Sequence, residues 1–436
     1  MRTLSLLAAP LVLVACVKGN PVDLGEFVGE GGTYHVEDCG YDVTTRYGAE
    51  APKPGQAIFG PDPTPRLVHL GIIGDPRHSI VAQWRTGDEV TRASQIRFAK
   101  GADLLESELT ETHGGLEFAY DSTGAVAPRM HQAHLCGLEP GTAYSYQVGG
   151  TDFSGRAVFS PVYTFRTAPD VSEHPDAEVV FGFVGDSRGG YDVWNMLISQ
   201  LTARSPDLIL FSGDAVTIGL TQLEWEEFFA RAEPLFARVP FVSAHGNHEV
   251  NAVNYYAQIA MPGDQENFGF DYGFAHITVG NDTPDDISKL AGEFKTKIDA
   301  DMTKSEAARW KLFMHHQPMF SASTHHGPSM TLQDAWLPTV DKHHIDLVLN
   351  GHDHDYEVSK PMINKQVQAT SDNATVFVVA GGAGAELYDN GSDFWTLYSE
   401  KTYSAAIIHV RRDQMTMNAF RQDGTPLPQG FSKTKP

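Results

Sequence analysis

The sequence has few cysteines, few positive charges and no long apolar run beyond its first residues. Its 436 residues include 3 Cys, and 32 Lys and Arg stand against 55 Asp and Glu, which gives a formal net charge of −23. A broad surface for nucleic acid requires clustered Lys and Arg, so this balance disfavours a nucleic-acid platform. Beyond the first residues no apolar run is long enough to cross a bilayer, and we expect a soluble mature body.

The N-terminus reads as an export signal. One early positive charge is followed by an apolar stretch over residues 4–15, which is too short to span a membrane but typical of a signal peptide. The tetrapeptide ending at Cys16 resembles a bacterial lipobox, in which the chain is cut before a cysteine that is then lipidated. Residues 1–15 are thus predicted to be removed, and Cys16 to hold the protein at the cell envelope, facing the periplasm or the exterior. An ordinary cleaved signal with an incidental cysteine is the alternative.

Two further cysteines, Cys39 and Cys136, remain after Cys16. In an exported protein two such residues are more often paired than free, so a disulfide is predicted; two free, buried thiols are the alternative. Residues 16–64 are rich in Gly and Pro and are predicted to form a tether that becomes ordered only where it packs on the next domain. The disulfide would connect this tether to the first domain.

Residues 65–168 show all-β signals. Short alternating runs such as residues 80–84 are separated by Gly, Asp and Pro. A turn at residues 138–142 leads into Tyr144, an arrangement that resembles the tyrosine corner of immunoglobulin-like and fibronectin type III sandwiches. We expect Trp84 to lie between the two sheets of such a sandwich.

The pattern changes in residues 176–425. Buried strands are predicted at residues 179–185 and 208–211, and amphipathic helices near residues 193–204 and 223–230. Apolar strands that alternate with helices indicate an α/β arrangement, in which ligands bind at the carboxyl ends of the strands.

Five short polar blocks follow apolar, strand-like runs in this second region. Each block alone is a common turn, but together they supply two Asp, one Asn and three His, which suit two divalent or trivalent metals. Two ions about 3.5–4 Å apart can clamp the attacking and leaving oxygens of a phosphoryl group, so the blocks predict a dinuclear phosphoesterase. In this acidic chain the metals would also have to attract the phosphate. The blocks are Gly185-Asp186, Ser212-Gly213-Asp214, Gly246-Asn247-His248-Glu249, His315 and Gly351-His352-Asp353-His354.

These blocks resemble the motifs GD, GD-x-x-Y, GNH-[DE], V-x-x-H and GH-x-H of the calcineurin-like metallophosphoesterases, and within them the two-domain purple acid phosphatases. The resemblance implies an α+β multidomain protein, with a fibronectin type III-like sandwich before a four-layer α/β/β/α catalytic domain. It also implies a ligand for each metal. The first metal would be bound by Asp186 and His354, both metals by a bridging Asp214, and the second metal by Asn247, His315 and His352. Adjacent residues after a strand point to opposite faces, so only one of His315 and His316 can face the metal, and the run Leu312-Phe313-Met314-His315 favours His315.

The resemblance further implies catalytic roles. His248 is expected to donate to a phosphate oxygen, with a purely structural role as its alternative. His325 and His326 are expected to bind substrate and protonate the leaving alcohol, with His326 the better donor by position; an incidental polar loop is the alternative. Arg188 either contacts the phosphate or lies on the surface.

The implied reaction is attack of a metal-bridging hydroxide on a small-molecule phosphate monoester, as in acid phosphatases. A phosphodiesterase or nucleotidase on the same site is one rival. A lipid-anchored binding protein with an inactive phosphoesterase domain is another, and in each case the membrane is contacted only through the lipid.

Two positions depart from the family pattern. Thr217 stands where GD-x-x-Y supplies the tyrosinate of purple enzymes, and Arg188 stands where other members have the histidine of Asp-x-His. Without either ligand we expect a weak first site that takes Fe, Zn, Mn or Ca, and a protein that is not purple.

Overall fold

A computed structural model describes residues 32–45, 60–88, 91–120 and 129–436. The predicted signal peptide and Cys16 lie outside these residues, so export and lipidation stay predictions. In the part of the chain that is described, no helix combines the length and apolarity needed to cross a membrane.

The first region is built entirely of strands. Strands β3-β4-β8-β7 form one sheet, strands β10-β9-β5-β6 form a second sheet with β11 also paired to β9, and β1-β2 form a separate hairpin. The strands are β1 (Gly32–Val36), β2 (Tyr41–Thr45), β3 (Arg66–Gly71), β4 (Ser79–Thr86), β5 (Arg92–Lys100), β6 (Glu111–Gly114), β7 (Leu116–Ala119), β8 (Arg129–Cys136), β9 (Ala143–Thr151), β10 (Ala157–Phe159) and β11 (Tyr163–Arg166).

The predicted sandwich and its tyrosine corner are confirmed. Trp84 is completely buried and shares a core with Tyr144, Tyr146 and Phe165. The hydroxyl of Tyr144 accepts a hydrogen bond from the backbone N–H of Glu139 at 2.9 Å, which fastens the turn to the strand. The alternating pattern therefore predicted correctly which face of these strands lies in the core.

Part of the predicted tether is structured. The β1-β2 hairpin lies within residues 16–64, and its Val36 and Val43 pack with Leu116 and Phe118 of the sandwich. A disulfide joins Cys39, which lies between the two strands of the hairpin, to Cys136 at the end of β8. The tether was predicted to be ordered only where it packs on the next domain, and residues 32–45 are such a part, held by apolar contacts and the disulfide.

The second region contains two larger sheets and six α-helices within the described residues. Strands β14-β13-β12-β24-β25-β26 form a six-stranded sheet, and β15-β16-β17-β18-β22-β19-β23 form a seven-stranded sheet. The elements are β12 (Val179–Val184), α1 (Tyr191–Thr202), β13 (Leu208–Phe211), α2 (Gln222–Phe236), β14 (Phe241–Ser243), α3 (Val253–Gln258), β15 (Phe268–Tyr272), β16 (Ala275–Val279), α4 (Lys295–Lys304), β17 (Trp310–Met314), α5 (Met330–Ala335), α6 (Leu337–His343), β18 (Leu347–Asn350), β19 (Tyr356–Ser359), β20 (Met362–Ile363), β21 (Gln366–Val367), β22 (Val376–Ala380), β23 (Thr396–Glu400), β24 (Ser404–Val410), β25 (Gln414–Arg421) and β26 (Phe431–Thr434).

The two sheets pack face to face with helices outside them. Phe181 of β12 meets Tyr272 of β15 across the space between the sheets, with ring centroids 5.7 Å apart. On one outer side, helices α1 and α2 share the same core. On the other, α4, α5 and α6 cover Phe313 of β17 and Val348 of β18. This is the predicted four-layer order, and β26 extends it past the expected boundary at residue 425.

The sandwich contacts the catalytic domain through β3 and α2. The backbone N–H of Leu67 donates to Glu233 at 3.0 Å, and the hydroxyl of Tyr146 donates to the carbonyl of Ala237 at 2.7 Å. The buried guanidinium of Arg85 pairs with Glu226. Several of these polar groups are buried and pair with each other across the domain boundary, so the two domains pack directly against each other.

His276 lies in β16 and faces α4, and it makes the free energy of unfolding depend on pH. Burial alone would lower the pKa of His276, but hydrogen bonds to Asp271 and Asp301 raise it to about 9. A histidine with a raised folded-state pKa stabilises fully below its unfolded pKa of about 6.5, and this contribution disappears as the pH rises through about 9. We expect the free energy of unfolding to fall by about 2 kcal/mol from this group between pH 6.5 and 9.5, after allowance for the exposed Asp271.

Urea unfolding of wild type and His276→Gln at both pH values measures this contribution. The stability difference between the two proteins should be large at pH 6.5 and small at pH 9.5. A difference that is the same at both pH values would mean that His276 is neutral in the folded state.

Candidate metal centre

The polar blocks meet at one edge of the two sheets because their strands run parallel there. Strands β12, β13 and β14 are mutually parallel, and so are β16, β17, β18 and β22. Their carboxyl ends point to the same edge, where loops carry the ligand-type side chains. The structure therefore brings together Asp186, Asp214, Asn247, His352 and His354, as the sequence predicted.

One group of ligand atoms surrounds the first site. Asp186, Asp214 and His354 each offer an atom, and these three atoms lie within 4.8 Å of one another. All three side chains are buried. Such a group of two carboxylates and an imidazole, held inside the protein, suits a di- or trivalent cation.

A second group lies beside the first. Nδ1 of His352 is 3.0 Å from Oδ1 of Asn247. Nε2 of His316 is 3.1 Å from the same oxygen and 3.3 Å from Oδ1 of Asp214. Asp214 therefore belongs to both groups, in the position that a bridging carboxylate requires.

The prediction that His315 faces the site is wrong, and His316 takes that place. Leu312 and Met314 of β17 face the space between the sheets, and His316 continues that face. His315 continues the opposite face with Phe313; its ring lies 5.4 Å from Trp336, and its Nδ1 contacts Asp282 at 3.0 Å. Both faces of β17 are apolar, so alternation separated the two histidines without telling which face was inward.

The ligand loops hold unusual backbone conformations. Asp186, Asp214 and His352 have φ angles of 62°, 59° and 69°, a region that non-glycine residues seldom adopt. Each such residue costs about 1 kcal/mol or more and persists only where the surroundings impose it, commonly at functional sites. Adjacent glycines permit the crowding, since a Cβ on Gly351 would lie 2.2 Å from Oδ2 of Asp186.

Glu249 is a supporting residue that the sequence prediction passed over. Its buried carboxylate accepts hydrogen bonds from the backbone N–H groups of Asp214, Ala215 and Gly246, at 2.8 to 2.9 Å. Burial, together with the nearby Asp214, raises the pKa of Glu249 to about 7. The fourth residue of the GNH-[DE] block marks this role, which is to hold the second and third ligand loops together.

Burial and the neighbouring carboxylates shift the pKa values of the groups in the site in different directions. Burial raises the pKa of Asp186 well above its usual value, with Asp214 adding to the effect. Burial lowers the pKa of His352 to about 2 and that of His354 to about 3. Burial would also lower the pKa of His316, but the two carboxylates raise it well above the usual value. The field that favours a proton there also favours a metal cation.

His248 lies at the rim of the centre and is oriented by two contacts. Its Nδ1 donates to the carbonyl of Thr217 at 2.6 Å, and its backbone N–H donates to Oδ1 of Asp214 at 2.9 Å. Nε2 then faces Oδ2 of Asp214 at 3.8 Å, and the side chain is 28% exposed. This geometry directs Nε2 of His248 toward the two groups of ligand atoms from the solvent-accessible side.

His325 and His326 reach the same rim through a stack of rings. His326 stacks on His352 with centroids 4.3 Å apart, and His325 stacks on Tyr388 at 4.0 Å. Tyr388 also stacks on His354 with centroids 4.0 Å apart and meets His326 edge-on at 5.4 Å. Tyr388 was not predicted from the sequence, because its position 34 residues after His354 carries no local motif.

Arg188 is in the site and not on the open surface. Its Nε lies 3.4 Å from Oδ2 of Asp214, and its Nη2 lies 3.3 Å from Nε2 of His354. The side chain is 19% exposed. Thr217 contributes its backbone carbonyl to His248, and the phenol of the family pattern is absent at this position.

The residues present fit two metal ions. Carboxylate oxygens, an amide oxygen and imidazole nitrogens form two adjoining groups with a shared carboxylate. Outer contacts orient the imidazoles: Nδ1 of His354 donates to the carbonyl of Glu386 at 2.6 Å, and Nδ1 of His316 donates to the carbonyl of Ser212 at 2.8 Å. Each of these rings therefore keeps Nε2 free to bind a cation, the arrangement usual for metal-binding histidines.

Comparisons with known proteins agree with this architecture. The family model described as Calcineurin-like phosphoesterase matches residues 179–356, and that of the purple acid phosphatase N-terminal domain matches residues 65–167. The chain is 27% identical to purple acid phosphatase 15 of Arabidopsis thaliana over 401 residues, which cover 76% of this chain and 72% of the relative. It is 27% identical to acid phosphatase type 7 of Homo sapiens over 400 residues, with coverage of 81% and 86%.

Solved structures share the fold. The purple acid phosphatase PPD1 from yellow lupin (Lupinus luteus) superposes with a TM-score of 0.75 at 17% identity, over 85% of this chain and 74% of that one. PhoD superposes with a TM-score of 0.61 at 15% identity, over 88% and 90%. The chain therefore contains a calcineurin-like metallophosphoesterase domain, preceded by an N-terminal domain of the purple acid phosphatase type.

Proposed function

We propose that the protein is a dinuclear phosphomonoesterase that hydrolyses small-molecule phosphate esters. The observation that carries this proposal is the place of Asp214, whose carboxylate faces both the Asp186–His354 group and His316. Such a shared carboxylate is what two closely spaced cations require. The relatives' names, purple acid phosphatase and acid phosphatase, support phosphate monoesters as the substrate class.

Two metal ions bound there would supply a nucleophile from water and positive charge for the phosphoryl oxygens. The protein's own side chains would contact the phosphate and protonate the leaving group. A protonated His248 would donate to a phosphate oxygen through Nε2, because its Nδ1 already donates to the carbonyl of Thr217. A guanidinium at Arg188 can donate to two phosphate oxygens at once.

The leaving alcohol needs a proton, and the opposite rim offers two donors. His326 stacks directly on His352, next to the second group of ligands, whereas His325 is one ring farther out, on Tyr388. We therefore assign proton donation to His326 and substrate contact to His325.

We further propose that the protein is exported and anchored through Cys16, on the lipobox-like sequence that precedes it. A phosphodiesterase or nucleotidase uses the same metal groups and is the rival activity. An anchored binding protein with an inactive phosphoesterase domain is the rival from another class. One relative is named probable inactive purple acid phosphatase 1 (Arabidopsis thaliana), which is a precedent for this alternative.

The adjacent histidines of β17 provide a matched test. We expect His316→Ala to lose one of two bound metal ions and at least about 100-fold in kcat/KM for p-nitrophenyl phosphate, because the second group loses its imidazole. We expect His315→Ala to keep both metals and most activity. Its free energy of unfolding should fall by about 2 kcal/mol, since the buried Asp282 loses its imidazole partner and keeps the backbone N–H of Gln317.

Metal content by plasma mass spectrometry and turnover are measured on the same samples reconstituted with Mn, Zn or Fe. Parallel assays with bis(p-nitrophenyl) phosphate separate monoester from diester preference. Turnover of the diester in excess of the monoester would replace the proposal with the phosphodiesterase. Two bound metals without turnover of either substrate would favour the binding protein.

A further inference from the structure

The side chain of Arg188 reaches the atoms that define the first metal site. Position 188 follows Asp186 by two residues, the position from which other family members supply a histidine. The guanidinium lies 3.4 Å from Oδ2 of Asp214 and 3.3 Å from Nε2 of His354, so both contacts are made to members of the first group. The structure thus puts a permanent cation where a ligand is expected from the family pattern.

The contact between Arg188 and His354 and the binding of a metal by His354 exclude each other. Nδ1 of His354 donates to the carbonyl of Glu386, and a carbonyl can only accept, so Nε2 carries the lone pair of the neutral ring. That lone pair either accepts from Nη2 of Arg188 or binds a cation. Nε of Arg188 forms an ion pair with Oδ2 of Asp214 at 3.4 Å without a hydrogen bond, so its positive charge repels a cation that approaches this oxygen.

The side chain has another place to go. A groove of about 730 Å³ adjoins the site, and Arg188 lines it together with Thr217, Glu227 and Glu386. The exposed Glu386 offers negative charge to a guanidinium that turns away from the ligands, whereas Glu227 is already paired with Arg231. A small threonine at position 217, instead of a tyrosine, borders this space.

We propose that Arg188 competes with the first metal ion for Asp214 and His354, so that the two sites fill in sequence and the first site binds at least tenfold more weakly than the second. The second site is filled at low metal concentration, because Asn247, His316 and His352 do not contact the guanidinium. Binding at the first site displaces Arg188 into the groove, from which it can reach a phosphate. This inference rests on the dinuclear centre of the proposed function and adds to it a rule for metal loading.

Metal titration of the whole protein tests the competition without any substrate. Calorimetry with Mn²⁺ on metal-stripped wild type should show one tight site and one site at least about tenfold weaker. Arg188→Met removes the charge at similar length, and we expect its weaker site to tighten at least tenfold. Arg188→His restores Asp-x-His and should tighten it further, with spin-coupled Mn²⁺ pairs appearing in electron paramagnetic resonance at lower metal concentration.

The control is Arg231→Met, because Arg231 lines the same groove but pairs with Glu227 at 3.1 Å, away from the ligands. It should leave both affinities unchanged. Two equal sites in wild type, or a weaker site that does not respond to either substitution at position 188, would overturn the proposal. Turnover of p-nitrophenyl phosphate on the same samples distinguishes the two ideas. Equal sites with turnover reject only the competition, and unequal sites that respond to substitution without turnover reject only the phosphatase.

Discussion

Asp214→Asn is expected to abolish phosphatase activity and to remove bound metal while leaving the fold intact. Asp214 is the only described residue that joins both groups of ligand atoms, and it is completely buried between them. An amide in its place is neutral and cannot balance two cations. If each ion contributes several kcal/mol to the transition state, activity should fall by at least about 10,000-fold, since 1.36 kcal/mol corresponds to a factor of ten.

Asparagine is the substitution that isolates the charge. Asp214 has a φ of 59°, which asparagine tolerates better than other residues of similar size. The amide oxygen can still accept from the backbone N–H of His248, which now donates to Oδ1 of Asp214. The thermal midpoint of the metal-free protein should therefore change little.

The measurement combines metal content by plasma mass spectrometry with turnover of p-nitrophenyl phosphate. Asp334→Asn is the matched control, because that carboxylate is exposed and pairs only with Lys365 at 3.2 Å. It should keep wild-type metal content and activity. Retention of two metals and full turnover by Asp214→Asn would mean that the chemistry occurs elsewhere.

Removal of the disulfide has the largest expected effect on stability. Cys39 and Cys136 are 97 residues apart, so the bond closes a loop that contains most of the sandwich. A loop of this length restricts the unfolded chain enough to stabilise the native state by about 4 kcal/mol. The double variant Cys39→Ser, Cys136→Ser should lose that amount in urea unfolding, and it avoids leaving one free thiol.

Wild type in reducing agent provides the internal comparison and should lose the same stability. Hydrogen exchange should also show the β1-β2 hairpin opening first, because Val36 and Val43 then remain as its main contacts with the sandwich. We expect activity at 25 °C to persist, since the disulfide joins the hairpin to the sandwich and not to the phosphoesterase domain. Equal unfolding midpoints for oxidised and double-serine proteins would show that the bond contributes nothing.

Much of the architecture was readable from the sequence because its signals are local. Alternation around Trp84 and the turn before Tyr144 predicted the sandwich, and the strand at residues 208–211 coincides with β13. The order of the polar blocks after apolar runs predicted a site at the carboxyl ends of strands. Parallel strands bring such ends together whatever the intervening loops do.

Other features required the tertiary structure. The choice between His315 and His316 depends on which apolar face of β17 meets the other sheet, and a strand buried on both sides gives no sign of it. Tyr388 joins the histidine stack through a contact that no sequence spacing marks. The location of Arg188 against the ligands was equally open, because an arginine in a glycine-rich turn can point to solvent or inward.

The sequence by itself determined the types of the two domains, their order and most of the candidate metal ligands, because these depend on residue types at short spacings. Only the tertiary structure decided which histidine of β17 faces the metals, that part of the N-terminal segment is a hairpin, and that a guanidinium contacts the first site. These depend on contacts between segments far apart in the chain, and such contacts are set by packing of the whole molecule and not by any local pattern.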